Sequence, residues 1–201
     1  MQENITENLD PTVYSKNVIE FVTVANEFCS FVENTTKYSK KEFIETANKL
    51  LTLIYLKSML LPKIETTDET PEKFVTEFDW QFIDTNITDK LVSDNVFIEF
   101  SRPMNPHENE SMNLSECFAD VYQDLKDFTM LYQVGTQEAI KVGIYECKFN
   151  FEQIWGQQIL LILTEFHNLL FGNSDLADEK PQKKETDTNF GTKWVKEIFE
   201  E

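Results

Sequence analysis

Glycine and proline are scarce in this chain. Its 201 residues include only five Gly and six Pro, whereas a barrel or sandwich of many short strands needs turn residues at every connection. Apolar residues make up 41% of the chain and 17 of them are Phe, which is enough to build a core and argues against global disorder. The length fits one ordinary domain. We therefore expect a few long helices in a single domain.

Positive charge is also in short supply. The chain has a single arginine, Arg102, and its 18 Lys and Arg face 36 Asp and Glu, for a net charge of −18. Nucleic-acid binding depends on clustered Lys and Arg against phosphates, and an acidic body repels anionic membranes. Neither nucleic acid nor a membrane is therefore expected as a partner. Solubility alone explains such a charge, and a basic protein is the partner it favours.

Paired cysteine spacings, a signal-peptide pattern and long apolar runs are not found in this sequence. Cys29, Cys117 and Cys147 stand alone, without the spacing of a disulfide framework or a zinc site. The opening residues lack the basic and apolar regions of a signal peptide. The longest purely apolar run, Ile159–Leu163, is far shorter than the roughly 20 residues of a membrane span. These observations predict a soluble protein of the reducing cytoplasm.

The acidic residues concentrate in one third of the chain. Residues 64–127 hold 16 Asp and Glu against four Lys and Arg, a balance of −12. They alternate with Phe, Leu, Val and Tyr at helical spacing, which indicates that a folded helical body carries them.

The apolar periodicity predicts five main helices. The first runs from Thr12 to Asn34, with Asp10 as its N-cap and Pro11 at its first position. The second follows the capping box Ser39–Glu42 and ends at Leu61 before a proline. The third opens at residues 70–71 and reaches Asn86. Its inward-facing residues are predicted to be Phe74, Val75, Phe78, Phe82 and Ile83.

Residues 87–113 interrupt the pattern and are expected to form a packed irregular connection with at most one short helical turn. A brief strand is the alternative, although nothing nearby offers it a partner. The fourth helix spans Leu114–Val134 and ends at Gly135. The fifth follows Thr136 and continues to Phe171, with a kink at Gly143 or Gly156. A glycine inside a helix indicates the close approach of another helix or, alternatively, a gap for a ligand.

Three parts of the chain follow from this pattern. Residues 1–172 form the helical bundle domain, 173–188 a polar linker and 189–201 a short amphipathic segment. The apolar residues of that segment are interaction candidates: Trp194, Val195, Ile198 and Phe199. Because so short a helix is unstable alone, it must dock, either on its own domain, which we favour, or on a partner.

The fourth helix carries a row of carboxylates on one face, at Glu116, Asp120, Asp124 and Asp127. The favoured interpretation is the solvated face of an amphipathic helix, with no cofactor. The alternative is a Mg²⁺ or Mn²⁺ site, because stacked carboxylates are ligands for hard cations. An antiparallel hairpin with the fifth helix brings further ligands near this row. The metal-ligand candidates are Asp120, Asp124, Glu146 and Asn150.

Other catalytic groups are not brought together by the predicted hairpin. It places His167 far along the axis from Asp120, which excludes a direct pair of the two. The chain also lacks a glycine-rich phosphate loop and a serine-nucleophile motif.

Several stretches resemble a family of bacterial proteins catalogued only as a domain of unknown function. They are residues 53–62 at the end of the second helix, 114–128, 150–156 and 166–170. The resemblance covers most of residues 14–171 and implies an all-helical single domain of about this length. It implies no activity, cofactor or partner.

The sequence as a whole favours a non-enzymatic cytoplasmic interaction protein, with the acidic surface and the C-terminal segment as contact regions. The competing hypothesis is a divalent-metal-dependent hydrolase that uses Asp120 and Asp124 with Glu146 or Asn150.

Overall fold

The protein is an all-α domain with one small β-hairpin, in a computed structural model that describes residues 11–65 and 71–177. The helices of these ranges are α1 (Lys16–Glu33), α2 (Lys40–Met59), α3 (Glu77–Leu91), α4 (Leu114–Val134), α5 (Gln137–Asn150) and α6 (Gly156–Phe171). A π-helical turn at Phe151–Trp155 joins α5 and α6 into one interrupted rod, so the bundle has five main helices. The predicted fold class is confirmed. The tail candidates of residues 189–201 lie outside the described residues.

Helix boundaries follow the capping residues. Ser39 and Glu42 form the expected capping box of α2, with the Ser39 N–H donating to Glu42 at 2.9 Å. Gly135 ends α4 in the left-handed conformation at φ 81°. The first helix begins four residues later than predicted, at Lys16 after Ser15. Its predicted N-cap, Asp10, lies outside the described residues.

The start of α3 was predicted wrongly. The helix opens at Glu77, not at residues 70–71, because a second capping box fixes its first turn. The Asp79 carboxylate accepts the Thr76 N–H at 2.9 Å, and the Thr76 hydroxyl accepts the Asp79 N–H at 3.2 Å. The helix then continues past Asn86 to Leu91.

Residues 87–113 were predicted to be irregular with at most one short helical turn, and such a turn is present at Val92–Asp94, but a β-hairpin takes up most of the rest. Strand β1 (Phe97–Ser101) pairs antiparallel with β2 (Asn109–Asn113), and Ile98 lies opposite Met112. The strand that was the alternative prediction therefore has a partner, which lies beyond a proline-containing turn. The partner was hidden because Asn109–Asn113 lacks the apolar alternation by which a strand is recognised. Side chains of Arg102 and Glu110, 2.7 Å apart, bridge the two strands at the turn.

The core centres on four phenylalanines from four helices. Phe28 of α1, Phe43 of α2, Phe118 of α4 and Phe166 of α6 are all fully buried. Phe118 lies 6.2 Å from Phe28, 5.6 Å from Phe43 and 5.7 Å from Phe166, measured between ring centroids. Aromatic pairs at such distances add to the free energy gained by burial. This cluster therefore ties α4 to α1, α2 and α6.

One side of the last helix is open to solvent. Leu160 is 45% exposed, although Ile159 and Ile162 are buried. Within the described ranges, no helix has the length and apolar character needed to cross a membrane.

Gly156 directly follows the π-turn. The interruption of the rod is therefore at Gly156, one of the two glycines at which a kink was predicted. A Cβ atom at Gly156 would lie 2.4 Å from the Phe151 carbonyl oxygen and 2.9 Å from the Phe151 ring. The contact that requires glycine therefore comes from the preceding turn of the same rod. Neither another helix nor a ligand gap explains it.

We expect Gly156→Ala to lower the free energy of unfolding by about 1–3 kcal/mol, because the added methyl group overlaps backbone atoms. The sign is diagnostic, since Gly→Ala inside an ordinary helix is stabilising by about 1 kcal/mol. Urea unfolding followed by circular dichroism measures the change. Thr164→Ala, at an exposed position of α6, serves as the control and is expected to change the value by less than about 0.5 kcal/mol.

Candidate functional site

The carboxylates of α4 do not form a solvated face, which corrects the favoured prediction. Asp127 is 3% exposed, and Asp120 and Asp124 are only partly accessible. The physical reason is that α4 packs against α1, α3, α5 and α6 together. No side of this helix is left for water alone. Each carboxylate instead meets a separate set of donors.

Asp120 is held by two side chains from different helices. Its carboxylate accepts the Trp80 indole N–H from α3 at 3.0 Å and the Gln158 amide N–H from α6 at 2.8 Å. Burial raises the pKa of Asp120, and the hydrogen bonds from Gln158 and Trp80 partly offset that rise. Gln158 is itself fully buried. Asp120 therefore joins α3 and α6 across α4.

Asp127 fixes the chain that leads into α3. One of its oxygens accepts the backbone N–H groups of Phe74 and Val75, at 2.8 Å and 2.9 Å. The other lies 3.8 Å from the Lys73 ammonium group. Hydrogen bonds to an ionised carboxylate contribute about 1.5–3 kcal/mol each, which makes Asp127 a strong anchor for this segment.

Asp124 lies between these two anchors and accepts the Asn150 amide N–H from α5 at 2.9 Å. Burial raises the pKa of Asp124 to about 6, and the neighbouring charges of Asp120 and Asp127 add to the rise. The hydrogen bond from Asn150 and the charge of Lys73 act in the opposite direction.

The four metal-ligand candidates do not converge on one point. Asp124 contacts Asn150, as the hairpin predicted, whereas Asp120 bonds Gln158 beyond the π-turn and Glu146 lies 3.6 Å from Lys73. Among the residues that the structure describes, no group of three or more His, Cys, Asp or Glu is arranged to hold a metal ion. Glu116 serves as a cap, its carboxylate accepting the Asn113 N–H at 2.6 Å.

The space beside these acids is too small for a substrate. A cavity of about 10 Å³ is bordered by Lys73, Asp124, Asp127 and Glu146. A single water molecule needs about 10–15 Å³, so the cavity has room for one water at most.

His167 and the three cysteines do not add a catalytic group to the carboxylates of α4. His167 is exposed, with its ring 4.7 Å from the Phe171 ring. All three cysteines are buried and free. Burial raises the pKa of the Cys29 thiol to about 12 and that of Cys147 well above its ordinary value. It also raises the pKa of Cys117, with the charges of Asp120 and Glu116 adding to the rise. A buried thiol that holds its proton is a poor nucleophile.

The exposed side of α3 presents two aromatic side chains, against the prediction that they face inward. Phe78 is 76% exposed and Phe82 48% exposed, one helical turn apart on the same side. Exposed polar and acidic residues surround them. We call this surface the α3 outer face, and it consists of Glu77, Phe78, Gln81, Phe82, Thr85 and Asp89.

The sequence contained a signal for this face. Ile83, Ile87 and Leu91 form the buried stripe of α3, and at 100° per residue Phe78 and Phe82 lie on nearly the opposite side. One helix cannot bury two opposed stripes against a single neighbour. The longer run of buried aliphatic residues packs on α4, and the aromatic pair is left outside.

The α3 outer face rests on a well-anchored helix. Besides Asp120 and Asp127, Ser115 of α4 accepts the Thr88 hydroxyl at 2.9 Å and the Asn95 amide at 3.0 Å. Both ends of α3 are thereby joined to α4, so the aromatic pair is presented in a fixed position.

Comparisons with known proteins concern this whole helical body. The family model described as Domain of unknown function (DUF5063) matches residues 12–172. The chain is similar to protein BF1032 from Bacteroides fragilis, known from a crystal structure, with 35% sequence identity and a TM-score of 0.70. The likeness covers 80% of this chain and 96% of that one. No curated protein matches the chain.

We expect Asp124→Asn to remove a destabilisation that grows with pH. The folded pKa of about 6 exceeds the unfolded value of about 3.9. Below the unfolded pKa the protonated Asp124 contributes its full stability, and that contribution is lost as the pH rises through the folded value. The variant is therefore expected to be more stable than wild type at pH 7, by at most about 3 kcal/mol.

Urea unfolding at a series of pH values from 4 to 8 measures this effect as the difference between the two stability curves. Asp89→Asn, at an exposed position on α3, is the matched control. A wild-type minus Asp124→Asn difference that stays constant across the series would contradict the assignment.

Proposed function

We propose that this protein, which belongs to the family described as Domain of unknown function (DUF5063), is a non-enzymatic interaction protein of the cytoplasm. Its partner is a basic protein segment that binds on the α3 outer face. The observation that carries the proposal is the exposure of Phe78 and Phe82 on a helix whose two ends are anchored. Free, unpaired cysteines support the cytoplasmic assignment.

The aromatic pair supplies the apolar part of such an interface. Exposed aromatic side chains are enriched among the residues that dominate binding free energy. Phe78 and Phe82 are spaced like the anchors of a helix-in-groove contact, in which side chains four residues apart point the same way. The opposite side of α3 is the one that packs into the core. Covering these two rings therefore requires another molecule or segment.

The surrounding charge indicates the chemistry of the partner. Glu77 and Asp89 border the aromatic pair on the α3 outer face, within the third of the chain whose charge balance is −12. Complementary charge steers association and rejects partners of like charge. A helix with an apolar stripe flanked by Lys or Arg fits both features.

We expect Phe78→Ser and Phe82→Ser each to weaken binding of an amphipathic peptide of leucine and lysine by at least about tenfold. Calorimetric or fluorescence titration at two salt concentrations measures the affinity. The stability of the free protein should change little, because both rings are exposed. Binding to wild type should weaken as salt rises, since exposed charges are screened.

Phe97→Ser is the matched control, because Phe97 is 72% exposed but lies on β1. It should leave the affinity unchanged. A peptide in which glutamate replaces lysine should not bind. Equal affinity of wild type and both α3 variants would refute the proposal.

The metal-dependent hydrolase remains a hypothesis that no observation in the described residues favours. Its carboxylates are engaged by separate donors and border a space of about 10 Å³. We expect millimolar Mg²⁺ or Mn²⁺ to leave the thermal midpoint unchanged. A midpoint that rises with the logarithm of metal concentration, and does so no longer in Asp124→Asn, would support the hydrolase instead.

A further inference from the structure

A second exposed apolar surface lies on α2, far from the α3 outer face in sequence. Leu53, Leu56, Met59 and Leu60 are 39%, 52%, 60% and 43% exposed. They lie opposite the stripe that α2 buries, which ends at Leu51, Ile54 and Ser58. We call these four residues the α2 outer face. A cluster of this kind marks a contact surface more often than an isolated exposed leucine does.

A recess adjoins the end of this face. It has a volume of about 200 Å³ and is lined by Lys63, Ile64, Tyr145, Lys148, Phe149 and Glu152. The Lys148 ammonium group donates to the Leu61 carbonyl at 3.0 Å, which ties the recess to the C-terminal end of α2. Its lining combines aromatic rings with two lysines and with Glu152, whose carboxylate lies 3.9 Å from the Lys148 ammonium group.

The two features meet at the C-terminal end of α2, where Lys63 and Ile64 of the recess follow Met59 and Leu60 of the outer face. Tyr55 packs against Phe151, with ring centroids 5.1 Å apart, and Phe151 precedes the recess residue Glu152. Met59 follows Tyr55 by four residues and so lies one turn further along that side. The α2 outer face and the recess are therefore neighbours, and together they offer exposed apolar side chains beside Lys63, Lys148 and Glu152.

We propose that residues 189–201 of the same chain occupy this surface. Their apolar residues, Trp194, Val195, Ile198 and Phe199, recur at helical spacing and match an apolar surface. Glu197, Glu200 and Glu201 accompany them, together with Lys193 and Lys196, for a net side-chain charge of −1. The carboxylates complement Lys63 at the recess, whereas the α3 outer face, whose charged residues Glu77 and Asp89 are both acidic, would repel them.

The connecting chain has a suitable length. α6 runs antiparallel to α2, because Phe43 contacts Phe166 while Tyr55 contacts Phe151. From Phe171 back to Glu152 is therefore roughly 30 Å, at 1.5 Å per residue. Leu176 packs against the core, which leaves the 11 residues 178–188 to bridge this distance. A fully extended chain of that length reaches roughly 36–40 Å, which is enough.

The same-chain segment is favoured over a second copy on two grounds. Two copies bring two bodies of net charge −18 together, which is costly. A tethered segment also arrives at an effective concentration in the millimolar range.

Limited trypsin digestion of the full chain tests the proposal. Lys193 precedes Trp194 within the docked segment, and Lys183 lies in the connecting chain. A synthetic peptide of residues 178–201 gives the intrinsic cleavage rates of both bonds. In the full chain we expect cleavage after Lys193 to be at least about tenfold slower than in the peptide, and cleavage after Lys183 to be similar.

The double variant Leu56→Gln, Met59→Gln should abolish the protection of Lys193 and leave Lys183 unchanged. Both positions are exposed, so the thermal midpoint should stay within a few degrees of wild type. Lys63→Glu should raise the rate after Lys193 about threefold at low salt. Phe78→Ser should leave it unchanged, which separates this proposal from that for the α3 outer face.

Three results would overturn the proposal. The first is a rate after Lys193 equal to that of the peptide, which means that the segment is not docked. The second is protection that persists in the α2 double variant, which assigns the segment to another surface. The third is protection that increases with protein concentration, which makes a second copy the occupant.

Discussion

The attachment of α3 to α4 through buried carboxylates is the constraint that sets the orientation of α3 and, with it, the surface that the protein presents. Asp127 accepts two backbone N–H groups ahead of α3, and Asp120 accepts the indole N–H of Trp80 within it. Apolar packing is non-directional, so it favours burial of the longer aliphatic stripe of α3 without fixing the rotation of the helix closely. Hydrogen bonds of fixed geometry select one rotation. That rotation places Phe78 in solvent and Ile83 in the core.

Burying Asp120, Asp124 and Asp127 close together on α4 is unfavourable for two reasons. Removing a carboxylate from water costs free energy, and closely spaced acids repel one another. The protein offsets these costs with a separate donor set for each acid, from Trp80 and Gln158 to Asn150. The acid with a single protein donor, Asp124, has the pKa raised to about 6. Buried polar groups of this kind can give a fold specificity at the expense of stability, and here they fix the orientation of a helix.

Much of the fold was accessible from local signals, because a cap or a helix-ending glycine acts within a few residues. Ser39 and Gly135 gave correct boundaries for that reason. Errors arose where tertiary partners decide the outcome. The strand at Phe97–Ser101 depends on a partner with no apolar pattern, and the burial of Asp120 and Asp127 depends on α3 covering α4. Asp120 is bound by Gln158 of α6, which lies beyond the π-turn at Phe151–Trp155. Apolar periodicity does not report such a bulge, so the sequence did not indicate this partner.

The three buried cysteines allow local opening of the bundle to be measured by thiol labelling. Cys29, Cys117 and Cys147 lie in α1, α4 and α5, and each thiol has a raised pKa. A thiol-reactive dye meets almost no thiolate until the surrounding helix separates from its neighbours. The labelling rate at each cysteine therefore reports the free energy of opening for its own helix, without any engineered probe. Comparing the three rates would show whether the bundle opens as a single cooperative unit or releases one helix before the others.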